Sequence, residues 1–243
     1  MRQKRVHLTF DVERYFDGPL AARYDQGIRL SCPGYDALHR MLVPLLQLLP
    51  EQTRFLSAGA GTGGEILALA ARFAHWTFTG VDASADMLEV CRQQALRAGV
   101  GDRVRLEHCR LQDYHGAEPF DAAASIFVGH FIRDPAQKLE YFHAIARNLK
   151  PGAPFILADL YGDRRAPEFV PLLKAWLLYY VSHGATAEKL TADLQHIFEN
   201  MDFTPEDALR DLLAAAGFND VVRFYQSYLF GGWIATRSGA PGA

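Results

Sequence analysis

The chain has 243 residues, a formal net charge of −3, 49% hydrophobic and 22% charged residues. That is enough apolar material for one sizeable core. The near-neutral balance supplies no general pull toward phosphate backbones, which disfavours nucleic acid as a partner.

No uninterrupted apolar segment has the length of a membrane span, and the basic start Met1-Arg2-Gln3-Lys4-Arg5 is not followed by one, so a cytoplasmic protein without a membrane partner is expected. Cys32, Cys91 and Cys109 lie far apart, and the nine histidines form no His-x-x-x-His pair, so neither a disulfide framework nor a metal site is expected.

Residues 1 to 23 lack periodicity but hold Phe10, Tyr15 and Phe16, which predicts a segment lying over something apolar; residues 1–50 together are expected to form a cap or lid. Leu38, Leu42, Leu45, Leu46 and Leu49 recur at helical spacing from Tyr35, with Pro44 as a kink and Pro50 as the stop. A strand at Arg54 to Ser57, a helix from Glu65 to Phe73 and an apolar run from Trp76 to Val81 follow. Ser84 is expected to cap a helix that runs to Ala98 and stops at Gly99, ahead of a short strand at Val104 to Glu107.

Phe120 to Phe127 is almost wholly apolar, as in a strand covered on both faces. A helix from Ala136 to Leu149, the break Lys150-Pro151-Gly152 and a strand from Phe155 to Leu160 continue the alternation of a doubly wound α/β sheet. Residues 165–203 interrupt it with two helical patterns, Leu172 to Tyr180 and Ala187 to Phe198, read as a helical insertion. Thr204-Pro205-Glu206 is expected to cap and open a last helix ending at Gly217. Val221 to Tyr228 and Trp233 to Thr236 then read as two strands joined by a turn at Gly231-Gly232. One domain over residues 1–237 is expected, with a disordered Gly/Ala/Pro tail at 238–243.

Leu56-Ser57-Ala58-Gly59-Ala60-Gly61-Thr62-Gly63-Gly64 reads as strand, tight turn and helix start. Glycine serves such a turn by reaching backbone angles closed to other residues and by letting a ligand lie against the main chain. Asp82 follows at roughly the spacing at which an acid meets ribose hydroxyls in such folds. Taken literally, the glycines at 59, 61 and 64 also satisfy the dinucleotide pattern, so a nicotinamide or flavin enzyme is an alternative, as is a turn without a ligand.

The order of several motifs favours a different cofactor. Tyr24-Asp25 and Pro33-Gly34-Tyr35 precede the turn; Asp82-Ala83-Ser84 with Met87-Leu88, Phe120-Asp121 and Leu149-Lys150-Pro151-Gly152 follow it. In these features the chain resembles the class I S-adenosylmethionine (SAM) dependent methyltransferases over nearly its whole length. The resemblance implies a Rossmann-like, seven-stranded, mostly parallel sheet with an antiparallel last strand, and SAM as cofactor.

It also implies that Gly59, Ala60 and Gly61 face the methionine and ribose, and that Asp82, with Ala83 beside it, accepts from the ribose hydroxyls. Met87 packs on the adenine face or belongs to the core. Two positions depart from the family. Ser57 replaces the acid usual before the glycine turn, which leaves the cofactor's amino group to backbone carbonyls. Arg110, with donors only, stands where an acid often accepts from adenine, and Asp113 or Gln112 is the candidate to replace it.

Leu30-Ser31-Cys32-Pro33-Gly34-Tyr35, Phe198-Glu199-Asn200-Met201 and Ala216-Gly217-Phe218 through Phe230-Gly231 look like the carboxy-SAM synthases of the tRNA wobble-uridine pathway and their relatives. That likeness carries Tyr35 into the SAM pocket. The synthase arginine that holds the extra carboxylate aligns with Gln195, whose neutral amide cannot replace a charge-assisted pair. Plain methyl transfer to a small molecule is therefore the leading expectation, with a carboxy-SAM synthase-like enzyme and a non-catalytic SAM-binding partner protein as alternatives.

His130, just past the fourth strand, is the candidate base for deprotonating a nucleophile, since open α/β sheets bind ligands there and imidazole titrates near neutrality. A structural histidine is the other reading. Arg29 and Arg133 are candidates for pairing with carboxylates. Aromatic residues around the insertion are expected to be core, with a subset lining an apolar substrate pocket. The helical insertion and Trp176 suggest a homodimer.

Overall fold

The computed structural model describes residues 15–16 and 18–239. Expectations that fall on Phe10 and the rest of residues 1–14, or on the tail from 240, lie outside the described residues.

Among the described residues, the helices α1 (Gly18–Ala21), α2 (Tyr24–Ser31) and α3 (Tyr35–Leu46) precede the first strand. Then come β1 (Arg54–Ala58), α4 (Gly64–Ala70), β2 (Thr77–Asp82), α5 (Ala85–Arg97), β3 (Val104–His108), β4 (Ala122–Ile126), α6 (Pro135–Arg147) and β5 (Pro154–Leu160). The insertion forms α7 (Phe169–Ser182) and α8 (Ala187–Asn200), and α9 (Glu206–Ala215), β6 (Phe218–Ser227) and β7 (Phe230–Arg237) complete the fold.

The seven strands form one sheet in the order β3-β2-β1-β4-β5-β7-β6. β1 to β5 pair in parallel, whereas β7 runs antiparallel to β5 and to β6. Between β1 and β4 the order reverses direction, which opens a crevice at the carboxyl ends of the strands.

Alternate residues of the central strands feed two separate cores. Phe55, Ala122, Ala124 and Ile156 pack with Leu38, Leu42, Leu46, Ile66 and Leu69 of α3 and α4. Leu56, Ala123, Phe155 and Leu157 pack with Phe142, Ile145, Leu209 and Leu213 of α6 and α9. The insertion joins the first core: Trp176 is buried against Phe230, ring centroids 4.9 Å apart, and its indole N–H donates to the Ser31 carbonyl at 2.6 Å. Trp176 therefore offers no surface to a second subunit, which removes one ground for the homodimer.

Two local expectations need correcting. Pro205, not Thr204, occupies the position before α9, because the Thr204 hydroxyl is held by Asp202 and by the buried Lys138 ammonium. The β6–β7 turn falls at Tyr228-Leu229, with Tyr228 at φ 51°. Gly231 and Gly232 lie inside β7, where a side chain would collide: a Cβ on Gly231 would meet the Trp233 ring at 2.3 Å, and one on Gly232 would meet Phe224 and Tyr225 at 3.1 Å. Crossing side chains, not a turn, explain that glycine pair. Pro44 lies near the end of α3 without ending it.

Candidate cofactor and acceptor site

The glycine turn takes shape from the main chain. Gly59, Gly61 and Gly63 have φ values of 73°, 51° and 84°, in the left-handed region that side chains disfavour. The N–H groups of Gly59 and Ala60 both donate to the Val81 carbonyl, tying the turn to the end of β2. A Cβ at Gly59 would sit 2.3 Å from Val128, so this loop and the one after β4 meet over bare backbone.

Asp82 stands at the same edge. One carboxylate oxygen accepts from Gly61 N and the other from Ser84 N, each at 2.8 Å. Each oxygen keeps a second lone pair, which leaves two acceptor positions for a diol. Burial raises the Asp82 carboxyl above its ordinary range, opposed by those backbone N–H groups. Ser84 caps α5 by accepting from Met87 N, while its own hydroxyl donates to the Phe16 carbonyl and draws the N-terminal segment onto the site. Asp25 of α2 accepts from Thr62 Oγ1 at 2.6 Å and from Gln94 Nε2 at 2.9 Å, so it fastens the turn to α5.

These elements wall a cavity of about 880 Å³ at the crevice. Of the sequence candidates, Tyr35, Gly59, Ala60, Gly61, Asp82, Ala83 and Met87 all line it. Asp113 does not: its side chain is exposed in the turn after β3, and Gln112 faces the cavity together with Arg110. Arg29 is also outside the lining, engaged with Asp36 at 2.9 Å, whereas Arg133 lines the cavity and donates to the Glu199 carbonyl at 2.5 Å.

Glu65 was not singled out in the sequence. It opens α4, is buried, lines the cavity, and accepts a hydrogen bond from Ser57 eight residues earlier. A carboxylate therefore stands beside the glycine turn, supplied by the helix instead of the strand. A signal was present: Glu65 lies four residues before Leu69, on the buried face of an apolar helix.

A smaller chamber of about 190 Å³ adjoins the first and shares Phe16, Tyr24, Phe127 and Phe131 with it. Trp176, Tyr180, Ile197 and Phe230 make the rest of its wall largely apolar. Phe127, at the end of β4, has φ 59°, an uncommon backbone state for a bulky residue that marks the junction of the two spaces.

His130 lines the chamber, not the larger cavity. Its Nδ1 lies 2.5 Å from Asp159 Oδ1, a carboxylate oxygen that also accepts from the backbone N–H groups of His130 and Leu160. An acceptor-only partner fixes the proton on Nδ1 and leaves Nε2 with a lone pair, the pairing by which a third group orients a base. Gly129 permits this approach, since a Cβ there would meet Asp159 at 2.4 Å.

Residues 55–152 match the methyltransferase-domain family. The chain is 25% identical over 215 residues to the ubiquinone/menaquinone biosynthesis C-methyltransferase UbiE of Geotalea daltonii, covering 86% of this chain and 88% of that one. It is 29% identical over 234 residues to the carboxy-S-adenosyl-L-methionine synthase of Dichelobacter nodosus, covering 93% of both. In fold it is similar to the magnesium protoporphyrin IX methyltransferase of Synechocystis PCC 6803 with bound SAH, with a TM-score of 0.68, 17% identity, and coverage of 93% of this chain and 98% of that one. These matches support a class I SAM-dependent methyltransferase, an enzyme that takes SAM as its cofactor.

The residues present fit that cofactor. Bare glycine backbone, a carboxylate with two open acceptor positions and a buried acid beside the turn match an adenosyl diol joined to an ammonium-bearing chain. Among the described residues no helix is long and apolar enough to cross a membrane.

Proposed function

We propose that the enzyme transfers the SAM methyl group to a small molecule with an apolar, ring-sized body and one protic nucleophile. The observation that carries this reading is the shared wall between the two spaces, with the His130–Asp159 pair on the apolar side.

Bound SAM supplies an activated methyl group on sulfur. The chain's own work is to hold the ribose at Asp82 beside the glycine turn, to seat the acceptor among Phe131, Trp176 and Phe230, and to receive its proton at His130 Nε2. Asp159 holds the imidazole in the tautomer that can accept it. His130 Nε2 would take the acceptor's proton as the acceptor is methylated and would pass it on to solvent. Alignment of nucleophile, methyl and sulfur accounts for most of the rate, since positioning alone can lower a barrier by about 7 kcal/mol or more.

A carboxy-SAM synthase-like activity is the second reading, and Arg133 favours it as a guanidinium on the cavity wall. Against it, Gln195 is exposed, is bonded to Glu199 and lines neither space itself. Incubation with methyl-labelled SAM and a panel of apolar phenols, quinols and aromatic amines, read by mass spectrometry, tests both. Methyl transfer predicts a labelled product whose formation needs His130. Conversion of SAM to its carboxylated form in the presence of prephenate, with no methylated acceptor, would overturn that reading in favour of the second.

A further inference from the structure

Glu65, on the wall of the larger cavity, is backed by the buried His39 of α3, and the proposed methyl transfer uses neither side chain. Glu65 and His39 are each more than nine-tenths buried, at 3% and 6% exposure. His39 Nδ1 faces the Tyr35 carbonyl at 2.9 Å and therefore carries the proton it donates there. Its Nε2 points to Glu65 Oε2 at 4.0 Å and has no hydrogen-bond partner among the described residues. Gly64 makes this approach possible, because a Cβ there would meet His39 Nε2 at 2.9 Å and the Tyr35 hydroxyl at 3.0 Å.

Burial drives His39 toward its neutral form, so Glu65 faces an imidazole lone pair and the Ser57 hydroxyl, with no cation to hold a negative charge. Burial pushes the Glu65 carboxyl up to about 7, against the Ser57 hydrogen bond, with Asp82 adding to the rise. The other titratable groups around it are Tyr24 and Asp25 from α2, Tyr35 from α3 and Cys91 from α5, with Tyr141 from α6. Arg29 of α2 also lies nearby, 5.6 Å over the Tyr35 ring, but its guanidinium is held by Asp36 at 2.9 Å. Ser57 and Asp82, the side chains that bear on Glu65, supply no positive charge. The cluster is thus a buried acid lacking its counter-ion, open to a cavity whose ligand carries an ammonium group.

We infer that Glu65 is the group that binds the ammonium of SAM, in place of the acid that Ser57 displaces, and that it releases its proton to solvent when SAM binds. This inference rests on SAM occupying the cavity and deepens that reading. The sign follows from the pairing: an ammonium beside Glu65 stabilises the carboxylate and lowers its titration point, so binding below neutrality expels a proton and affinity rises as pH climbs toward 7.

Isothermal titration at pH 6 in two buffers of different ionisation heat reads the proton count directly. Wild-type enzyme is expected to release close to one proton per SAM. 5′-Methylthioadenosine, which keeps the adenosine but lacks the ammonium, should release close to none. Glu65→Gln should bind SAM about tenfold or more weakly at pH 7.5, as for the loss of a charged hydrogen bond, and should lose the release at pH 6.

Equal proton counts for SAM and methylthioadenosine in the wild type would overturn the inference without any variant. So would a Glu65→Gln protein that binds SAM as tightly as the wild type. Failure of the wild type to bind either compound would instead remove the cofactor reading itself, so the two failures are distinguishable.

Discussion

The cofactor side and the acceptor side of the crevice are built by different means. At the glycine turn, the main chain does most of the shaping: left-handed glycines, paired N–H groups on one carbonyl, and Asp82 bonded to two backbone amides. The smaller chamber, the proposed acceptor site, is shaped by side chains from the N-terminal segment, α2, the β4 loop, α7, α8 and β7, which meet only after the chain has folded. A backbone-built site accommodates one ligand and resists change. A side-chain-built site changes its ligand whenever one aromatic residue is replaced.

Replacing His130 sharpens this contrast most. His130→Ala should lower kcat by about 10²- to 10⁴-fold, the range for a general acid–base group, while the dissociation constant of SAM stays unchanged. Loss of SAM affinity in that variant would show that the two sides are not separable. Trp176→Ala should cost about 3–5 kcal/mol of stability in urea unfolding, as for removal of a buried Trp. In the protein that remains folded it should raise the acceptor KM and leave SAM affinity alone.

Glu65 provides a pH-dependent comparison. Its carboxyl sits at about 7 in the folded chain, from an ordinary value of 4.5. The unfolded chain therefore releases this proton first, and folding stability falls as pH rises from about 4.5 to 7 and then levels. Glu65→Gln should gain about 3 kcal/mol on the wild type between pH 5 and pH 8 in urea unfolding, by the linkage of shift to free energy. A constant difference across that range would show that the carboxyl is already ionised without ligand. Gly61→Ala should have the smallest effect on stability, about 1 kcal/mol for a side chain at φ 51°, and should weaken SAM binding while sparing acceptor affinity.

What the sequence disclosed follows the same division. The crowded glycines, the strand-end acid at 82 and the Ser84 cap are local patterns, and they assemble as expected because they depend on backbone geometry within a short stretch. The sheet was legible for a similar reason: apolar runs such as 120–127 allow few other uses. Asp113 was misplaced because adenine contact depends on how the loop after β3 turns, and that turn leaves Gln112 inward and Asp113 in solvent. Asp159 could not be anticipated as the partner of His130, since only the parallel pairing of β4 with β5 brings their ends together. The Gly231-Gly232 pair misled because crossing side chains and turns both select glycine, and only packing tells them apart.

The clasp formed by the glycine turn and Asp82 is the claim on which the rest depends, and SAM binding by Asp82→Asn tests it most directly. Calorimetry on a variant with unchanged thermal unfolding should show the dissociation constant rising by about 10- to 150-fold, the loss of a charged hydrogen bond. Methylthioadenosine, which keeps the ribose, should lose as much. An unchanged dissociation constant for both compounds would contradict the account.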